Sequence, residues 1–301
     1  MPGLISFIIP VKNRDEKRII NCINSLKSDL TGEVIIVDYG SDIPVQISGV
    51  KIIRYDKNKV WNKSHAINLG IKEAKYNFIG TVDCDMIISE EFMEGVEWHL
   101  DYGTFIYSIN VKRIEPRHVS GNFKGMLEHT SDWNNVKGRY NIIHNANGGI
   151  QIYPKKWISE IGGADESLIY WGGMDNDVFE RAIVSGLTII NLNKVILHQE
   201  HEFKKEKNLD KKERVAAIMT KIPKIEYLSE MLSTRQVIRN DGQWGTEIPN
   251  QSRFLKSIEE IKAIEKKGKE DAKNYVKAFM EAVKEGRKTF TFNGKEVKTF
   301  R

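Results

Sequence analysis

The sequence predicts an α/β fold, a βαβ sheet with helices on both faces, followed by a mainly helical, basic segment. Three observations carry this. Short apolar runs alternate with amphipathic stretches from Leu4 to His201, the pattern of strands and covering helices. Asp38 and Asp83 each stand where an apolar run ends, and such sheets bind ligands beyond the carboxyl ends of their strands. Charge is also split along the chain. Residues 201–301 hold 24 Lys and Arg against 16 Asp and Glu, whereas residues 1–200 hold 22 against 25.

LISFIIPV at 4–11 is apolar enough for a strand covered on both faces, with Pro10 near its end, where the ladder stops. IINCINSL follows as a helix with Ile19, Ile20, Ile23 and Leu26 on one side and Cys22 in the core. EVIIV at 33–37 and VKIIRY at 50–55 are strands, KSHAINLGIKEA is a helix, and NFIGTVD is a strand ending at Asp83. Ser89 caps the helix EEFMEGVEWHL, whose stripe is Phe92, Val96 and Leu100. TFIYSINVKRI reads as one strand, and 115–145 as a long loop or insertion over the sheet. ANGGIQIYPKKWISEIGG gives a turn, a strand and a helix begun after Pro154; DNDVFERAIVSGL is a helix with Val178, Ala182 and Ile183 inward. TIINLN and KVILHQEH close the sheet, so the expected domains are 1–203 and 204–301. In the second, Asp210 and Glu213 suggest a reciprocal cap, residues 252–285 a long or broken helix, and TFTF-NG-KEVKTF a terminal β-hairpin.

Composition narrows the class. Cys22 and Cys84 are too few for a disulfide scaffold or a thiolate cluster. No run approaches the roughly 18–20 apolar residues of a membrane span, and MPGLISFIIPV lacks a signal peptide's charged-then-apolar order. The expectation is a soluble protein of a reducing, cytoplasmic compartment. The basic last third admits an anionic partner such as nucleic acid, or a solvated lysine-rich face.

Two acidic pairs carry the candidate chemistry. In TVDCDMI, an extended chain would put the Asp83 and Asp85 carboxylates on one side, with Cys84 on the other. There they could share a divalent cation whose other positions take diphosphate oxygens; a turn cap is the alternative. In WGGMDNDVFERA, Asp175 and Asp177 open a helix, where its dipole favours acids.

These motifs resemble the GT-A glycosyltransferases of the inverting family 2 group. The second half resembles β-1,4-galactosyltransferases and the related domains of chondroitin polymerases and polypeptide N-acetylgalactosaminyltransferases. The resemblance runs over about residues 5–201, in the order IIPVKNRDEKR, VDYGS, WNKSHAINLG, VDCDMI and NGGIQIYPKKWISEIGG with WGGMDNDVFERA. It implies a Rossmann-like mixed sheet and transfer, with inversion, of a hexose or N-acetylhexosamine from a UDP-sugar. The acceptor would be a hydroxyl of a glycan, protein, lipid-linked sugar or modified nucleic-acid base. Pro10 and Arg14 fall in the implied nucleotide loop, Asp38 matches the uracil-recognising acid, and Lys63 lies where a basic residue approaches the phosphates. The implied Mn²⁺ site, with Mg²⁺ as the alternative, is Asp83, Asp85 and His198; His201 is a weaker candidate. Asp175 matches the catalytic base and Asp177 the last acid of the same cluster. Gly148 and Gly149 let backbone approach the donor sugar or form a plain turn, and Trp171 stacks on a sugar or anchors packing. The chain departs from the pattern at Tyr39, Met174 and Asn176. Those departures keep open a second reading, a binding module for sugar nucleotides or nucleic acid with a decayed active site.

Overall fold

The computed structural model describes residues 3–57, 61–114, 142–143, 148–168, 173–199 and 237–249, and positions between 274 and 298. The chain forms two compact units, Met1–Ser252 and Arg253–Arg301.

In the first unit the strands are β1 (Ile5–Val11), β2 (Thr31–Asp38), β3 (Lys51–Arg54), β4 (Phe78–Val82), β5 (Met86–Ile88), β6 (Thr104–Tyr107), β7 (Val111–Ile114), β8 (Ile142–Ile143), β9 (Ile150–Pro154), β10 (Thr188–Asn191) and β11 (Ile196–Gln199). The helices are α1 (Glu16–Ser25), α2 (Lys63–Glu73), α3 (Glu90–His99), α4 (Lys155–Glu160) and α5 (Met174–Val184). Among the described residues, seven strands form the main sheet in the order β10-β6-β9-β4-β1-β2-β3. Its pairs are parallel except that β9 runs antiparallel to β4 and β6. A second sheet, β5-β11-β7-β8, carries the stretch just after Asp83.

β1 is buried throughout because both faces are covered. Ile5, Phe7, Ile9 and Val11 pack with Ile19 and Cys22 of α1 and Phe92 and Val96 of α3. Ile8 packs on the other face with Ile67 and Ile71 of α2, Ile158 of α4 and Val178 of α5. Each such side chain contributes about 1.5–3 kcal/mol relative to exposure. The α2 contact is close: a Cβ on Gly70 would meet Ile8 Cγ2 at 2.5 Å. That fit sets α2 flush on β1, with Lys63 at its first turn. Pro10 pairs with Val37 of β2, while the β4 ladder ends earlier, at Ile8. The missing N–H therefore breaks no β4 bond.

Several details differ from the sequence pattern. The apolar stripe of α1 runs through Ile19, Cys22, Ile23 and Leu26, which leaves Ile20 exposed. In α5 the inward positions are Met174, Val178, Arg181 and Ala182; Ile183 faces out and a buried arginine takes the neighbouring place. TFIYSINVKRI is two strands, because the chain leaves the main sheet after Tyr107 and enters the second at Val111.

Residues 237–249 lie in the first unit, although sequence patterning assigned them to the extension beginning at 204. Arg239 N donates to Ile161 O (3.0 Å), and the Asn240 side chain donates to the Gly162 and Ala164 carbonyls. The Asp210–Glu213 cap, most of the 115–145 stretch and most of the helix expected over 252–285 lie outside the described residues. In the second unit, Thr289–Phe292 and Lys295–Lys298 pair as the expected antiparallel hairpin.

Candidate active site

The parallel strands β1, β2 and β4 end at Val11, Asp38 and Val82, and the candidate residues gather beyond those ends. Asp83 to Met86 form a turn rather than extended chain. Asp83 N donates to Gly149 O (3.0 Å), and Met86 N donates back to Asp83 O (3.0 Å). The turn defeats the strand alternation expected for Asp83 and Asp85, so the two carboxylates serve different partners.

Asp83 faces Lys63. The Lys63 ammonium lies 2.5 Å from Asp83 Oδ1 and donates to Asp175 Oδ1 and Oδ2 at 3.0 and 3.3 Å. Lys63 was expected near phosphates; here it bridges the two candidate acids. Burial pulls its pKa down, but the charges of Asp175 and Asp83 outweigh this and hold it well above the usual lysine value. Burial pushes the Asp83 carboxyl up, against the pull of Lys63, and repulsion from Asp175 and Asp85 adds to the rise. Asp175 sits in the first turn of α5, with its backbone carbonyl accepting from Gln151 Nε2 (2.8 Å). Gly148 lies against its carboxylate: a Cβ there would meet Asp175 Oδ2 at 2.8 Å. Gly149, at φ 102°, occupies backbone that favours glycine and carries the carbonyl that receives Asp83 N–H. Gly148 thus sets the backbone beside Asp175, and Gly149 the backbone beside Asp83.

Asp85 faces His198. β11 runs antiparallel to β5 with His198 opposite Met86, and Gln199 N donates to Asp85 O (2.8 Å). This register brings His198 Nε2 to 3.6 Å from Asp85 Oδ2, with both side chains 10% exposed. A carboxylate oxygen and an imidazole nitrogen are a donor set suited to Mn²⁺. Among the described residues no three His, Cys, Asp or Glu side chains converge as a metal cluster, since Asp83 is turned to Lys63. Asp85 and His198 are the pair that could hold a cation, which would need its remaining ligands from a bound molecule or solvent. Arg14 reaches the same turn: burial raises the Cys84 thiol pKa strongly, and the charge and hydrogen bond of Arg14 offset part of the rise.

At the end of β2, Asp38 is fully buried. Its Oδ1 accepts from Ser41 N (3.0 Å), and its Oδ2 accepts from Val45 N (3.0 Å) and Arg54 Nη1. Burial raises this carboxyl, but the hydrogen bonds prevail and hold it below the usual carboxylate value. In this geometry Asp38 organises its own loop and offers no surface to a uracil, contrary to the sequence expectation. Trp171 and His201 lie outside the described residues.

Residues 6–162 match glycosyl transferase family 2. The chain belongs to that family. Residues 128–206 also match the N-terminal domain of galactosyltransferase. The chain is 24% identical over 247 residues to a chondroitin synthase of Escherichia coli, covering 69% of itself and 36% of that protein. It is 25% identical to a hyaluronan synthase of Pasteurella multocida, covering 69% and 25% respectively. It thus spans between about a quarter and about a third of the length of the curated relatives it matches. A solved structure of GalNAc-T7 with UDP, GalNAc and Mn²⁺ overlaps with a TM-score of 0.49 at 13% identity, over 67% of this chain and 44% of that one.

Three features of this family 2 chain escaped sequence reasoning. The first is that Asp177, expected beside the donor, is buried in an ion network. Arg181 Nη2 pairs with its Oδ2 at 2.8 Å, Arg239 Nε lies 3.4 Å from its Oδ1, and Arg239 also faces Asp165 at 3.7 Å. The reason is helical periodicity: Asp177 lies two residues from Asp175 and points to the opposite side of α5. The second is that Tyr39 joins an aromatic group, stacked on Tyr55 (4.6 Å between centroids) and edge-on to Trp61 and His65. Burial pushes the His65 imidazole pKa down, so its Nε2–H donates to Thr246 O (2.7 Å) while Nδ1 accepts from Tyr39 Oη (2.8 Å). The third is the brace that these contacts make. Residues 237–249, beyond both family matches, hold α5 through Arg239 and α2 through Thr246. The i,i+4 spacing of Asp177 and Arg181 was a legible hint of a helix-internal pair.

Proposed function

We propose that this protein is a metal-dependent inverting glycosyltransferase that moves a hexose or N-acetylhexosamine from a UDP-sugar to an acceptor hydroxyl, with Asp175 as general base. The observation that carries this reading is the partly open Asp175 carboxylate, 26% exposed, fronting Gly148 beyond the strand ends of a family 2 domain. Asp175 takes the acceptor proton as that oxygen attacks the anomeric carbon, and attack from the face opposite the departing diphosphate inverts the centre. Asp85 and His198 hold the cation, which when bound supplies positive charge against that of the leaving UDP. Arg14, beside the same turn, adds a fixed cation. The relatives named chondroitin synthase and hyaluronan synthase support a glycan as acceptor. Tyr39 and Met174 serve packing, so the departures from the family pattern do not remove the base or the Asp85–His198 pair.

Among the described residues no helix is long and apolar enough to cross a membrane. Cys22 and Cys84 are both free thiols, which supports a reducing, cytoplasmic setting.

The test is Mn²⁺-dependent release of UDP across a panel of UDP-sugars, with and without glycan acceptors. Asp85→Ala and His198→Ala are each expected to weaken Mn²⁺-dependent UDP binding by about 10–100-fold in calorimetric titration. Unchanged titrations in both variants would remove the cation site from this reading. Gly148→Ala is a separate check on the base. Its methyl group would force the Asp175 carboxylate aside, and a displacement of this kind costs about 100-fold in turnover. UDP affinity should be untouched, and a wild-type rate in that variant would mean that carboxylate placement is not limiting.

A further inference from the structure

Lys63 is the residue whose surroundings the proposed chemistry leaves unexplained. It occupies the first turn of α2, where the helix dipole disfavours a cation and no acidic residue of that turn compensates. Local preference is thus set aside at this position, as happens where a side chain serves a site. The turn is also held firmly. Asn62 is fully buried, its Oδ1 accepts from His65 N (2.9 Å), and its Nδ2 donates to Glu166 O (2.7 Å). From this fixed point the ammonium reaches both oxygens of Asp175, at 3.0 and 3.3 Å, and Asp83 at 2.5 Å. Contact with both oxygens restrains the carboxylate's rotation as well as its position. Asp83 follows the strand β4 and Asp175 opens the helix α5, so one ammonium joins two elements distant in sequence.

We propose that Lys63 is the positioning residue of the acceptor base, fixing the Asp175 carboxylate and tying it to Asp83, rather than a ligand of the donor phosphates. This rests on the reading of Asp175 as the base. A lysine held by two carboxylates must surrender both to reach a phosphate, whereas as a bridge it acts from where it stands. Its effect should fall on turnover, through orientation of the base.

The experiment is a double-mutant cycle in the full chain, with Lys63→Met, Asp175→Asn and the pair, read by kcat, by KM for the UDP-sugar and by calorimetric UDP affinity. Lys63→Met is expected to lower kcat about 100-fold while KM and UDP affinity hold. In the Asp175→Asn background the same change should cost nothing further, since partners acting as a unit are non-additive. Lys63→Arg keeps the charge and guards against misfolding of the methionine variant; it should show a smaller loss of the same kind. A fall in UDP affinity with kcat retained, in either variant, would assign Lys63 to the phosphates and overturn the proposal. An equal kcat loss in both backgrounds overturns it as well, because Lys63 would then act independently of Asp175. Near-wild-type transfer by Asp175→Asn alone is a different result: it removes the base reading and the inference with it.

Discussion

Asp175→Asn is expected to lower glycosyl transfer by about 10²–10⁴-fold, the usual contribution of a positioned general base, while Mn²⁺-dependent UDP binding persists. Asparagine has the same shape, and the contact of the Asp175 backbone carbonyl with Gln151 does not involve the side chain. What is lost is the capacity to take a proton. Lys63 contacts both oxygens of the Asp175 carboxylate, so the site works through its orientation against the acceptor hydroxyl. Initial rates with a UDP-sugar and a glycan acceptor, beside calorimetry with UDP and Mn²⁺, separate the two properties. Transfer close to wild type would falsify the base assignment. Joint loss of transfer and UDP binding would place Asp175 in donor binding instead.

Much of the fold was legible in the sequence, because β1 and β4 are buried throughout, and β2 from Ile35 onward, so that they read as short, mostly apolar runs. Helix starts were legible where a single side chain makes the cap, as Ser89 does by accepting from Phe92 N. Within the site, Asp83 and Asp175 were legible as acids at element ends and Lys63 as a basic residue near phosphates, yet the bridge Lys63 makes between the two acids was not. Their meeting depends on a contact across 112 residues that no local spacing encodes. Asp38 and Asp177 show the opposite limit. Their motif positions suggested ligand contacts, but hydrogen bonds from Ser41, Val45 and Arg54, and ion pairs with Arg181 and Arg239, had already engaged them. Carboxylates saturated from within look the same in sequence as those left open. The brace at 237–249 was illegible for a third reason: its polar, glycine-bearing residues carry no helix or strand period, and its hold depends on single long-range bonds from Arg239, Asn240 and Thr246.

Arg181→Met should be the most destabilising single substitution proposed here, costing about 3–5 kcal/mol, as expected when one partner of a buried ion pair is removed. Arg181 has no exposed surface. Besides its pair with Asp177, it donates to the carbonyls of Gly163 (2.8 Å), Ile161 (3.3 Å) and Val237 (3.4 Å). Methionine fills much of the volume but leaves those carbonyls without this donor, and leaves Asp165 and Asp177 to share Arg239. Domains are stable by only about 5–15 kcal/mol, so a loss of this size should be obvious in urea denaturation as a lower midpoint at unchanged slope. Asp177→Asn provides the companion measurement. If Asp177 belongs to the ion network, this change should lower stability in the same way, while the folded protein binds UDP as before. If Asp177 belonged to the donor site, stability would hold and UDP affinity would fall. Arg239→Met should loosen the same knot from the 237–249 side. Because that segment also holds α2 through Thr246 and His65, its loss should reduce turnover at temperatures below the unfolding transition. A variant with lowered stability but fully retained turnover would show that the brace serves the fold alone.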